Sequence, residues 1–243
     1  MQLEPRVIFS SGVAATGKST TMREFCRLVS NALILGKDTI NAANLHVPTF
    51  NFTGLPTIED YLRNAKIFPD HARKIQTPFE EVWKLDPTNK DGVGSDYYGR
   101  HTFTQTHLIQ IGIAKENLEA GKVPIIDGIV VRQIRDGTLK RFKDCKEFRG
   151  YPKYHFHFIA NEDVCYKRYL ERLKRLKSYD SKRYPMNKEL TREEFHNFVT
   201  QEQPMIPKEL DNYEHLQVDT STQDPVECAQ NCLDYIIRTN EHN

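Results

Sequence analysis

Tryptophan occurs once in the 243 residues, and cysteine only five times. The thiols of Cys26, Cys145, Cys165, Cys228 and Cys232 form no Cys-x-x-Cys pair, and any pairing scheme leaves one over. That excludes a disulfide framework and predicts small apolar residues in a reduced compartment. Charge of one sign is also missing: 34 Lys and Arg stand against 33 Asp and Glu, a formal net charge of +1. No overall field therefore draws the chain to nucleic acid or to a membrane surface, although a local basic groove stays open. No apolar run approaches the roughly 20 residues that span a bilayer, and no basic-then-apolar leader is visible. A cytoplasmic location is expected. There is no internal repeat and no low-complexity segment. The length suits one large domain, or one domain carrying an insertion.

What is present begins with "FSSGVAATGKSTTMREF", residues 9–25. An apolar run leads into Gly12, Val13, Ala14, Ala15, Thr16, Gly17, Lys18, Ser19 and Thr20, and a helical pattern follows. Glycines let the main chain curl until successive N–H groups point at a phosphate chain, and the helix N-terminus adds a favourable dipole. Lys18 can reach the same oxygens, and the Ser19 hydroxyl is placed to ligate Mg²⁺. Guanine readout is unsupported, because Asn89-Lys90-Asp91 is followed by Gly92 where an Asp is needed. ATP is the default nucleotide.

Apolar segments at 6–11, 32–36, 123–128, 154–160 and 214–220 read as strands. Helical patterns over 106–122 and from 161 onward alternate with them, the first capped by Gly121. Asp224-Pro225 opens a last helix. This alternation predicts right-handed βαβ crossovers and a parallel sheet. Residues 45–104, with five prolines and many aromatics, read as an irregular, partly helical insertion. Its Arg73, Lys74, Trp83, Tyr97, Tyr98, Arg100 and His101 fit an acceptor pocket or a small satellite core equally well.

Two carboxylates fall just past strand ends, where ligands gather in open parallel sheets. Asp38 can take the proton of an attacking hydroxyl, or cap a helix, or do both. Asp127 can hold Mg²⁺ directly or through water, or serve as a turn residue beside Gly128. In "YKRYLERLKRLKSYDSKRY", Tyr166, Leu170 and Leu173 form an apolar stripe, and Arg168, Arg172 and Arg175 form a basic one. Aligned guanidiniums suit a transferring phosphoryl group, an acidic substrate or simply a solvated face. His155 and His157 alternate on a strand with no Cys or His at ligand spacing, which argues against a metal site.

Together these residues resemble the P-loop kinase group that includes the 5′-kinase domain of phage polynucleotide kinase, zeta toxins and chloramphenicol phosphotransferase. "GVAATGKSTTMREF" is similar to that group's phosphate loop, and "LILGKDTIN" to its strand ending in the acceptor base. "AKENLEAGKVPIIDG" is similar to its helix-Gly-strand stretch with the Walker B carboxylate, and "YKRYLERLKRLKSYDSKRY" to its lid. The resemblance implies one kinase domain of P-loop NTPase fold over 1–243, three α/β/α layers around a five-stranded parallel sheet, with 45–104 as substrate insertion and 168–190 as lid. It implies Asp38 as base, Lys18 and the loop as phosphate holders, and Ser19 and Asp127 as Mg²⁺ ligands. Arg172, Arg175 or Arg183 would contact the ATP phosphates. Here Tyr179 precedes Asp180 where the lid commonly has Arg-Asp. The expected reaction is transfer from ATP to a hydroxyl-bearing small molecule. A polynucleotide 5′-kinase, a sugar-nucleotide kinase and a nucleotide-dependent switch are the competitors.

Overall fold

A computed structural model describes residues 1–37, 40, 103–135, 137–179 and 189–240. In chain order the elements are β1 (Val7–Gly12), α1 (Lys18–Leu28), β2 (Ala32–Gly36), α2 (Phe103–Glu119), β3 (Val123–Ile129), α3 (Val131–Arg135) and α4 (Thr138–Lys143). Next come β4 (Lys153–Ile159), α5 (Glu162–Tyr179), α6 (Arg192–Asn197), β5 (Leu216–Asp219) and α7 (Pro225–Asn240). The five strands form one parallel sheet in the order β2-β3-β1-β4-β5. The expected three-layer α/β/α fold around a five-stranded parallel sheet is therefore present, with helices on both faces of the sheet.

Strand alternation assigns each side chain to a layer, because successive residues point to opposite faces. Val7, Phe9 and Ile126 face α2, α3 and α4 and pack with Ile111, Ala114, Leu118, Leu139 and Phe142. Ile8, Ile125, Phe156 and Phe158 face α1 and α7 and meet Met22, Phe25, Cys228, Cys232 and Ile236. Burial on both sides is why β1 and β3 read as near-continuous apolar runs. Fully burying a Phe such as Phe9 or Phe156 is worth roughly 1.5–3 kcal/mol, so these two layers dominate the hydrophobic term.

Local chemistry sets the element ends. Asp224 Oδ1 accepts the N–H groups of Val226 and Glu227 at 2.8 and 2.9 Å, and Pro225 is the first residue of α7. Thr191 and Glu194 form a capping box at α6. After α2 the chain turns at Gly121 (φ 76°), where Lys122 N–H reaches back to the Asn117 carbonyl at 2.8 Å. α2 starts three residues earlier than the helical pattern over 106–122, and β5 is shorter than 214–220. The helices α3, α4 and α6 run for five or six residues and were not foreseen. Fewer than two turns leave no 3.6-residue period to read. Among the described residues, no helix is long and apolar enough to cross a membrane. Residues 45–102 of the insertion and 180–188 of the lid segment lie outside the described residues.

Candidate phosphate site

β1 delivers its last residue, Gly12, into contact with β4. A Cβ built there would lie 2.3 Å from the Phe158 carbonyl oxygen, and the backbone stands at φ 134°. Only glycine fits both conditions. The loop then tightens on itself: Thr16 Oγ1 donates to the Val13 carbonyl at 2.8 Å, and Ala15 takes a left-handed φ of 67°. α1 opens at Lys18 behind Gly17, with no capping side chain and no acidic residue in its first turn. Its N-terminal field is thus left for an external anion. Lys18 Nζ folds back over the loop, donating to the carbonyls of Gly12 and Val13 at 2.8 and 2.7 Å. Ala14, Ser19 and Thr20 are exposed, whereas Gly12, Val13 and Thr16 are buried.

Three neighbours back the loop. Val13 packs with Cys165 of α5, Phe195 of α6 and Val199 just beyond it. Arg168 donates to Oγ1 and to the carbonyl of Thr220, both at 2.8 Å, and Thr220 Oγ1 donates in turn to the Thr16 carbonyl at 2.8 Å. A Cβ at Gly17 would sit 3.3 Å from Thr220 Oγ1 and 3.5 Å from an Arg168 guanidinium nitrogen. Arg168 therefore ties the basic helix to the loop. The sequence placed it in the basic stripe but carried no sign of its partner, which lies far along the chain.

Ser19 Oγ donates to Asp127 Oδ2 at 2.8 Å, and buried Ser10 Oγ donates to Asp127 Oδ1 at 2.9 Å. A register irregularity lies just beyond this meeting. Ser10 pairs with Asp127, but Ser11 pairs with Ile129, so Gly128 is bulged out of the β1–β3 ladder. Ser19 and Asp127 are two hard oxygen donors beside the phosphate loop. That set fits Mg²⁺, which takes one or two protein oxygens and fills its other positions from phosphate and water. Among the described residues, no group of three or more His, Cys, Asp or Glu could hold a metal by itself.

The remaining expected site residues are placed as follows. Arg172 is on α5 and exposed. Arg175 is on the same helix, with its side chain outside the described residues, and Asp38 and Arg183 lie outside them entirely. The strand leading to Asp38 is defined: Gly36 is in register with Asp127, and Lys37 is buried.

Behind the loop, Ser11 Oγ lies 2.6 Å from His155 Nε2 and 2.8 Å from His157 Nδ1. His157 Nε2 must donate to the Met205 carbonyl at 2.7 Å, so its Nδ1 accepts the Ser11 proton. Ser11 Oγ then accepts from His155 Nε2–H, an arrangement that suits two neutral rings. Burial pushes the pKa of His157 down to about 4 and that of His155 well below the ordinary value. Neutral native rings facing an unfolded chain that protonates near pH 6.5 give full stability above that pH and a loss as pH falls toward 4. Each ring contributes about 1.4 kcal/mol per pH unit within that window. Urea unfolding at pH 7 and pH 5 checks this: His157→Gln should reduce the pH-dependent loss by about 2 kcal/mol. An unchanged difference between the two pH values would count against the neutral assignment.

No family model matches the chain, and no curated protein matches its sequence. Among solved structures, APE1195 is 15% identical, with 97% of this chain and 96% of that one covered at a TM-score of 0.48. TT1252 from Thermus thermophilus is 14% identical, with 98% of both chains covered at a TM-score of 0.45. The chain is also similar to a protein of Chloroflexus aurantiacus J-10-fl described as a "putative kinase", at 16% identity and a TM-score of 0.54, covering 96% of this chain and 98% of that one. At that identity the likeness to the Chloroflexus protein is one of fold, and it extends along nearly the whole chain.

Proposed function

We propose that the chain is an ATP- and Mg²⁺-dependent phosphotransferase that moves the γ-phosphoryl group to a hydroxyl-bearing small molecule. The carrying observation is the Ser19–Asp127 hydrogen bond at the mouth of a glycine loop whose helix N-terminus is left open to an anion. The Chloroflexus protein of the same fold, named as a kinase, agrees with this reading. In it, the main-chain N–H groups from Val13 to Thr20 hold the β- and γ-phosphates, and Lys18 swings from the loop carbonyls onto the same oxygens. Mg²⁺, when bound, would neutralise charge on the phosphate oxygens. Ser19 would hold it, and Asp127 would hold it or order its water. Asp38 takes the proton from the acceptor hydroxyl, and arginines of the α5 segment, Arg172, Arg175 or Arg183, offset charge that develops on the transferred group. Phosphoryl transfer needs little beyond such positioning and electrostatics.

The test is consumption of ATP with Mg²⁺ against a panel of alcohols, followed by mass spectrometry for a product heavier by one phosphoryl group. Alcohol-stimulated consumption with such a product is the expected result. Slow hydrolysis indifferent to every alcohol would replace this reading with a nucleotide-dependent switch. A product found only with single-stranded nucleic acid would move the acceptor to a polynucleotide 5′-hydroxyl.

A further inference from the structure

The carboxyl ends of β2 and β3 are joined by a buried polar chain. Gln110 of α2 donates from Nε2 to the Leu35 carbonyl at 2.7 Å and to the Asp127 carbonyl at 3.2 Å. Its Oε1 is 3.1 Å from His107 Nδ1, and His107 Nε2 is 2.7 Å from Gln133 Nε2. Gln133 Oε1 accepts the Val130 N–H at 2.9 Å. All three side chains are 1% exposed.

Both ends of the chain fix the proton on the imidazole. Gln110 spends its amide protons on two carbonyls, so its oxygen faces His107 and Nδ1 must donate. Gln133 spends its oxygen on Val130, so its amide nitrogen faces His107 and Nε2 must accept. The two deductions are independent and agree on a neutral ring with Nδ1–H. Phe142 holds that ring edge-on, with centroids 5.0 Å apart. A three-member buried network with consistent polarity specifies one geometry, because any flipped amide would leave desolvated groups unpaired.

We infer that Gln110 is a positioning residue for the proposed transfer, holding the ends of β2 and β3 together and so fixing where Asp127 stands beside Ser19. This rests on the function proposed above. Two contacts join these ends. At Gly128 a Cβ would come within 2.8 Å of Lys37 Cβ, so the strand ends already sit as close as a glycine allows. Gln110 holds them together from the α2 side through one carbonyl of each strand. The clip binds no substrate atom. It fixes where the Asp127 carboxylate stands at the mouth of the glycine loop, and a displacement of about 1 Å at such a group can cost about a hundredfold in rate.

Gln110→Met keeps length and volume but removes both donors. Its kcat should fall about 10- to 100-fold, while the KM for ATP stays within about twofold. Gln133→Leu, which breaks the far end only, should show the same split to a smaller degree. Hydrogen exchange supplies a readout free of catalysis: in Gln110→Met, amides of residues 33–37 and 125–130 should exchange faster while residues 7–10 of β1 keep their protection. Wild-type kcat in Gln110→Met, a parallel loss of ATP affinity, or faster exchange across the whole sheet would each overturn the inference. A wild-type protein that transfers no phosphoryl group sinks the proposed function instead. In that case exchange alone decides, and unchanged protection at the two strand ends overturns this inference as well.

Discussion

Gly12→Ala is expected to lower the melting temperature by roughly 10 °C and to abolish nucleotide binding. The added methyl would lie 2.3 Å from the Phe158 carbonyl oxygen, a main-chain atom held in the β1–β4 ladder that cannot rotate away. It would also force an L-residue to φ 134°. Overpacking and backbone strain together cost roughly 3–5 kcal/mol, and each kcal/mol lowers the transition by about 2–4 °C in a chain of this size. Gly150 supplies the control. It has φ 84° but nothing within 4 Å of a built Cβ, so Gly150→Ala isolates the conformational cost, roughly 1 kcal/mol. Scanning calorimetry of both variants, with ATP titration of each, makes the comparison. Equal melting temperatures would show that the close approach of Gly12 to β4 carries no weight. Retained ATP binding in Gly12→Ala would separate the loop from the nucleotide.

Asp38→Asn is expected to reduce phosphoryl transfer by about a thousandfold, with ATP affinity within about twofold of wild type. An amide cannot take a proton from the acceptor, yet it preserves shape and any capping role. Asp38 lies outside the described residues, and the described chain before it ends with Gly36 level with Asp127 and with buried Lys37. Single-turnover transfer with the preferred alcohol, paired with equilibrium ATP binding, separates the two effects. Equal transfer rates in mutant and wild type would remove Asp38 from the mechanism. Parallel loss of transfer and ATP affinity would make it a nucleotide contact.

The parts of this protein legible in its sequence are those where one stretch of chain holds the whole reason. The glycine loop is such a case, since the preceding strand, the Gly spacing, Lys18 and Ser19 all fall within residues 7–19. Asp127 was legible as the end of an apolar run. Its bond to Ser19 was expected only as shared attachment to one metal, and its bond to Ser10 was not foreseen. Arg168 shows the limit. On the helix it repeats with Arg172 and Arg175 and nothing sets it apart, but in space it holds Thr220, which holds Thr16. His155 and His157 alternate on one strand, and the sequence read them only as unfit for a metal site. Ser11, the hydroxyl that joins them, comes from a different strand. Gln110 and Gln133 look like ordinary helix residues until β2 and β3 are brought side by side. Strand order was not legible either, because parallel pairing leaves no hairpin turn to read.

That order bears on how the chain comes into being. β1 lies at the centre of the sheet and is buried along its whole length, but its neighbours are residues 123–129 and 153–159. None of the four strand pairings joins segments close in sequence. On the ribosome, β1 must wait for about 110 further residues, from Gly12 to Val123, before either edge finds its mate. Slow, late collapse and an early apolar segment in need of shelter are built into this topology.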